Sequence, residues 1–118
     1  MPIQNFKDII AWQKAHELTL VVYDLTSKFP KHELFGLVSQ MRRCAVSVPS
    51  NIAEGYKRKG KQDSIHFYVI AESSLEELRY QLFLSKDLKY ITEAEYKNSE
   101  ELAETVAKVI HGWKINQK

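Results

Sequence analysis

The chain has 118 residues, 44% of them hydrophobic, which suits a single globular domain, residues 1–118, with one core. Four glycines and three prolines supply too few turns for an all-β fold and favour helices, and no stretch approaches the roughly 20 apolar residues of a membrane span. The formal net charge of +2 is too small to indicate nucleic-acid binding by itself.

The first predicted helix covers about residues 9–28, after an arm formed by residues 1–8. Its apolar residues recur in steps of four and three, the spacing that keeps one helix face toward a partner helix. They are Ala11, Ala15, Leu18, Val22, Leu25 and Phe29. Trp12, beside this seam, is interpreted as a packing group rather than a ligand-stacking group. Pro30 ends the helix, because the residue before a proline disfavours helical backbone angles.

The second predicted helix covers residues 32–59 and contains Pro49. Its seam consists of Leu34, Val38, Met41, Ala45, Val48, Ile52 and Gly55. A proline removes one backbone donor and crowds the preceding turn, so the helix either kinks or stops and restarts. We favour a kinked but continuous helix, because Val48 and Ile52 keep their phase across the proline. Gly60 is then predicted to end the helix as a C-terminal glycine.

The third and fourth helices are predicted at residues 64–89 and 93–114, followed by a basic tail at residues 114–118. Their seams are Tyr68, Ala71, Leu75, Leu78, Leu82 and Ser85, then Tyr96, Ser99, Ala103, Val106, Ile110 and Trp113. Thr92 and Glu95 match a capping box at the start of the fourth helix. Since the connections are short, sequential helices should be antiparallel. The sequence therefore predicts an all-α, up-down-up-down four-helix bundle.

Two of these helices carry a second apolar stripe beside the seam. In the second helix it comprises Phe35, Val46, Pro49, Ala53 and Tyr56, and the third helix adds Phe67, Ile70 and Leu84. A stripe of that size would be an aggregation liability on a monomer. We therefore expect the chain to form a homo-oligomer through it.

The sequence contains no recognisable catalytic or metal-binding pattern. It lacks the Glu-x-x-His and His-Glu-x-x-His spacings of metal sites, and Gly60-Lys61 lacks the earlier glycine of a phosphate-binding loop. We therefore expect no enzymatic activity, no cofactor and no metal site. The single cysteine, Cys44, cannot form an internal disulfide, and the N-terminus lacks an apolar signal core. These features predict a buried thiol and a cytoplasmic protein.

Positive charge is concentrated in the first half of the chain. Residues 1–61 hold ten Lys/Arg and five Asp/Glu, a balance of +5, whereas residues 62–118 hold seven and ten, a balance of −3. The densest part contains the candidate nucleic-acid-binding residues Arg42, Arg43, Lys57, Arg58, Lys59 and Lys61. Because the segment lacks an array of exposed aromatic residues, binding should be led by the phosphate backbone and be weakly sequence-specific.

A second interpretation of the arginines remains open. Arg42 could instead form an ion pair with an acidic residue of the third helix or of a neighbouring subunit. In that case the protein would be an interaction scaffold or accessory subunit whose partner is another protein. This hypothesis predicts little nucleic-acid affinity, whereas the first predicts salt-sensitive binding.

Several residues also resemble the bacterial family of four helix bundle proteins. They are Trp12, Phe29-Pro30, Glu33, Gly36-Leu37, Gln40, Arg42-Arg43, Ser47, Asn51-Ile52-Ala53-Glu54-Gly55, Arg58, Phe67, Ala71, Ser74-Leu75 and Glu77. The family includes proteins encoded in intervening sequences of large-subunit ribosomal RNA genes, formerly labelled ribosomal proteins. It also includes the accessory variability determinant of diversity-generating retroelements.

The resemblance implies a four-helix bundle that assembles into ring-shaped pentamers. For the retroelement relatives it also implies binding to nucleic acid and to a reverse transcriptase. The family offers no catalytic residues to transfer. This chain departs from the family at Cys44, where a small residue is usual, and at Ser73, where glycine often precedes the Ser-Leu pair.

Overall fold

The computed structural model describes residues 2–117 and consists of four long helices joined by short turns. The helices are α1 (Ile10–Thr26), α2 (Ser39–Lys57), α3 (Lys61–Asp87) and α4 (Glu93–Ile115). No strand occurs among the described residues, so the predicted all-α fold is confirmed. Met1 of the predicted arm and Lys118 of the predicted tail lie outside the described residues. Within residues 2–117, every helix is too short or too polar to span a bilayer.

Side-chain contacts between neighbouring helices show that the bundle is antiparallel. Thr19 Oγ1 donates to the carbonyl of Ala45 at 3.0 Å, and Arg42 Nε donates to Thr26 Oγ1 at 3.0 Å, so later residues of α1 meet earlier residues of α2. The other neighbours follow the same rule: Met41 with Ser85, Ser47 with Ser74, Arg79 with Glu100, and Glu72 with Lys114. Because α1 also packs against α4, the four helices close around one core.

The predicted seams form that core almost completely. Every seam residue of α1 and α3 is buried, as are those of α2 from Val38 onward. The exceptions are Leu34, which is 50% exposed, and Tyr96 and Trp113, which are half-buried. Spacing in steps of four and three therefore identified the inward face of each helix, and the most exposed seam residue, Leu34, lies outside the α-helical backbone.

The second helix departs from its predicted range of 32–59 at its N-terminal end. A 3₁₀ turn (Lys31–Glu33) and a π-helical turn (Leu34–Val38) precede α2, and Gly36 has non-helical angles of φ −111° and ψ −108°. The π turn shifts the helical phase, which explains why Leu34 leaves the core. Glu33 stabilises the bend, because Oε1 accepts from the amide of Leu37 at 3.3 Å.

Tyr90, in the connection between α3 and α4, contacts Glu33 in the connection between α1 and α2. Its hydroxyl donates to Glu33 Oε2 at 2.8 Å. This hydrogen bond, together with that from the Leu37 amide, lowers the pKa of Glu33 below the ordinary carboxyl value. Side chains from the α1–α2 connection and from the α3–α4 connection therefore both stabilise the bend.

α2 passes through Pro49 without a break, as favoured from the sequence. The prediction that Gly60 ends this helix in a C-terminal glycine conformation is wrong. α2 ends at Lys57, and Gly60 has extended angles of φ −98° and ψ 144°, so it is the N-cap of α3. Its carbonyl accepts a hydrogen bond from the amide of Ser64 at 3.0 Å. As a result, α3 begins at Lys61, three residues before the predicted position.

Cys44 gives a direct test of how tightly α2 and α3 are packed. The thiol is buried, and burial, followed by the neighbouring Glu77 carboxylate, raises the pKa of Cys44 to about 11. Since the thiolate is the nucleophile, we expect the native protein at pH 8 to react with a disulfide reagent about two orders of magnitude more slowly than the unfolded chain. Equal rates in the two states, measured by reagent absorbance, would contradict this packing.

Candidate nucleic-acid interface

Four of the six predicted basic residues lie together where α2 turns into α3. We define the basic turn as residues 57–61, which contain Lys57, Arg58, Lys59 and Lys61. The three lysines are exposed, and none forms an ion pair with any residue between 2 and 117. Their ammonium groups are therefore available to an anionic partner.

Arg58 has a different environment from the lysines beside it. Its Nη2 donates to Glu54 Oε2 at 3.2 Å, and its Nε lies 4.0 Å from Asp63 Oδ2. Its guanidinium also stacks over the ring of Phe67, 4.4 Å from the centroid. Arg58 therefore fastens the end of α2 to the start of α3 and leaves most of the turn's available charge to the lysines.

Arg42 is also engaged inside the bundle, with residues of α1 rather than with the acidic residue of α3 that was considered from the sequence. Besides its hydrogen bond to Thr26 Oγ1, its Nη2 approaches the carbonyl of Tyr23 at 3.5 Å. The guanidinium lies 4.6 Å from the centroid of the Tyr23 ring. Among the described residues its contacts are thus to α1, and no acidic residue of α3 pairs with it. Sequence spacing within α2 gave no signal for this contact.

Arg43 is exposed, but it lies far from the basic turn. Fourteen residues separate it from Lys57 along one helix, a distance of about 21 Å at the usual rise per residue. The six predicted residues therefore form two groups rather than one continuous patch: an arginine pair near the start of α2 and the basic turn at its end.

The arginine pair borders a largely apolar groove of about 500 Å³ between α1 and α2. This α1–α2 groove is lined by Tyr23, Leu34, Phe35, Val38, Ser39, Arg42, Arg43 and Val46. Phe35 is 93% exposed and Val46 41% exposed, so these two members of the predicted second stripe do face outward.

The rest of the second stripe is covered to a greater extent. Pro49 is buried, and the half-buried members are Ala53, Tyr56, Phe67, Ile70 and Leu84. The stripe predicted as one surface along α2 is therefore most exposed at Phe35, in the π turn before α2, and at Val46.

No group of three or more His, Cys, Asp or Glu side chains that could hold a metal ion occurs within residues 2–117. The four histidines lie on different parts of the bundle, and His16 stacks on Trp12 with the rings 5.0 Å apart. Trp12 thereby packs between His16 and Phe6, whose ring is also 5.0 Å away, at the start of α1.

Comparisons with known proteins agree on family and fold. Residues 7–112 match the family model described as 23S rRNA-intervening sequence protein. The fold is similar to the crystal structure of a protein of unknown function from the S23 ribosomal protein family of Bacteroides thetaiotaomicron. The two have a TM-score of 0.79 and 21% identity, over 89% of this chain and 98% of that chain. No curated protein matches the chain.

Proposed function

Because the chain belongs to the 23S rRNA-intervening sequence protein family, we propose that it is a non-enzymatic homo-oligomer that binds RNA or DNA through a basic surface. The observation that carries this proposal is the basic turn, where three exposed lysines project from one end of the bundle without an ion-pair partner in the described chain. The pentamer follows from the family resemblance, and we include it as part of the proposal.

The chemistry of the basic turn suits the phosphate backbone. Lysine ammonium groups on flexible stems can follow phosphates of varying position, and they carry no information about base sequence. Each subunit of an oligomer would add another basic turn, so the number of phosphate contacts would grow with the number of subunits. The proposal therefore describes binding with little sequence preference.

The proposal involves no catalytic step and no cofactor, and it places the protein in the cytoplasm. A single cysteine that cannot form an internal disulfide suits a reducing compartment.

The salt dependence of binding tests this function directly. Labelled structured RNA and duplex DNA should bind at about 50 mM salt, and the logarithm of the association constant should fall linearly with the logarithm of salt concentration. If each basic turn neutralises three phosphates of duplex DNA, the slope should be roughly −3 for every subunit engaged. Absence of binding at low salt, or a slope near zero, would contradict the proposal.

The second candidate is a scaffold or accessory subunit that contacts another protein, such as a reverse transcriptase, without binding nucleic acid. One observation favours it: Arg58 is ion-paired with Glu54, and Arg42 donates hydrogen bonds to α1, so both guanidinium groups are less available to phosphate than the sequence suggests. Under this hypothesis the salt titration shows no binding, and the purified protein instead captures a protein partner.

A further inference from the structure

We infer that the α1–α2 groove of one copy docks on the α4 surface of a second copy, in a head-to-tail contact. This inference rests on the homo-oligomer in the proposed function and specifies its interface. The α4 surface is a shallow groove of about 430 Å³ lined by Glu93, Ala94, Tyr96, Lys97, Glu100 and Glu101.

Phe35 is the feature of the first groove that most requires a partner. It is 93% exposed and projects from the π turn, next to Leu34, which is 50% exposed. An aromatic ring of this kind can bury about 150–250 Å² when it is covered. Buried aromatic residues beside arginine are typical of the central residues of protein interfaces. The groove therefore has the composition of a protein–protein interface.

The two grooves carry opposite charge. Arg42 and Arg43 give the α1–α2 groove a formal charge of +2. Three glutamates against Lys97 give the α4 groove −2, or −1 when the ion pair of Glu100 with Arg79 is counted. Ala94 and Tyr96 are the apolar residues among the six that line the α4 groove. A surface that combines arginine with an exposed Phe and a surface that combines glutamate with apolar residues are complementary in charge, which favours a second copy of this chain as the occupant.

The contacts within the bundle place the two grooves at the same height. The pairs Met41–Ser85 and Ser47–Ser74 bracket Arg79 on α3, and Arg79 in turn contacts Glu100. Glu100 therefore lies at the level of the arginine pair in α2. The α1–α2 groove and the α4 surface, which borders α3, occupy opposite sides of the bundle.

This arrangement determines the kind of assembly. Two different patches on one chain produce a heterologous contact, which forms a ring if it closes and a filament if it does not. Because the patches lie at equal height, successive parallel copies need little shift along the bundle axis. All basic turns then lie on the same side of the assembly, where their lysines act together on one polyanion.

Charge exchange tests the contact. We would measure the mass of the full chain by sedimentation velocity over a range of concentrations, for the wild type, Phe35→Asp, Arg43→Glu, Glu101→Lys and the double variant Arg43→Glu/Glu101→Lys. Each single variant should raise the dissociation constant of the oligomer at least tenfold, since it introduces a charge into the apolar contact or opposes like charges across it. The double variant should restore assembly, because the charges are exchanged between the two faces.

Ile10→Asp is the matched control, since Ile10 is 61% exposed on the α1 helix outside both grooves and should leave the mass unchanged. Circular dichroism of each variant establishes that it remains folded. A wild type that assembles while the single variants assemble equally well would overturn the groove assignment alone.

Other outcomes separate the inference from the function it rests on. A wild type that stays at 13.7 kDa would overturn both the inference and the homo-oligomer, whereas nucleic-acid binding is measured independently on the same samples. If the wild type is monomeric and captures another protein that the Phe35→Asp variant does not, the groove belongs to that protein and the inference is overturned.

Discussion

A variant with Lys57→Glu, Lys59→Glu and Lys61→Glu is expected to bind structured RNA and duplex DNA roughly 1,000-fold more weakly than the wild type at about 50 mM salt. The physical reason is that the three exposed ammonium groups of the basic turn are replaced by carboxylates that repel phosphate. The slope of the logarithm of the association constant against the logarithm of salt concentration should also become less negative by about three for each subunit engaged on duplex DNA. Fluorescence anisotropy with labelled nucleic acid measures both quantities.

Arg58 is left unchanged in this variant, because it contacts Glu54 and Phe67 and its removal would disturb the junction of α2 and α3. The matched control is Lys31→Glu, Lys89→Glu and Lys108→Glu, three exposed lysines outside the basic turn. Both variants lower the formal net charge from +2 to −4. If both lose affinity equally, overall charge rather than the basic turn governs binding, and the assigned surface is wrong.

Gly55→Ala is expected to lower the free energy of unfolding by about 1–3 kcal/mol, the usual cost of overpacking. Gly55 is a buried residue of α2, and an added Cβ would overlap Tyr68 Cε1, lie 2.9 Å from Tyr68 Cζ and lie 3.0 Å from the carbonyl oxygen of Ser64. The Tyr68 ring is almost fully buried, and the carbonyl belongs to the backbone of α3, so neither can retreat easily. Urea unfolding at one fixed protein concentration measures the change.

The sign of this change is informative because helix propensity acts in the opposite direction. Replacing glycine by alanine inside an unobstructed helix stabilises it by about 0.5–1 kcal/mol. Gly112 in α4 provides the matched control, since a Cβ there meets no described atom within 4 Å. Gly112→Ala should therefore stabilise the protein. If Gly55→Ala does so as well, the close approach of α2 to Tyr68 is incorrect.

Local periodicity predicted most of the fold. The step of four and three places one face of each helix inward, and burial of that face, for example Leu78 in α3 and Val106 in α4, is the dominant stabilising contribution. The Thr92–Glu95 capping box was also predictable, because it depends on residues three positions apart; both of its hydrogen bonds are present. These features involve only neighbours along the chain.

The basic turn could be partly predicted in the same way, since its cations are adjacent in sequence. The separation of the six basic residues into the basic turn and the arginine pair could not be predicted from the sequence. Which basic side chains remain available depends on residues distant along the chain: Arg42 finds Thr26 sixteen residues earlier, and Arg58 finds the ring of Phe67 on the next helix. Composition and spacing report how many charges a segment carries, but not which of them other elements occupy.

The bend before α2 also shows a feature that tertiary contacts decide and local sequence does not predict. Pro49 left open whether the second helix continues with a kink or stops and restarts, and α2 continues through it. The break lies at Gly36, where contacts from Glu33 and Tyr90 fix the connection between α1 and α2. By itself, the sequence determined the helices, their inward faces and the all-α bundle, because local geometry and hydrophobic burial act through near neighbours. Only the tertiary structure decided the π turn, the exposure of Phe35 and which lysines of the basic turn lack an ion-pair partner within residues 2–117, because each depends on contacts between residues that folding brings together.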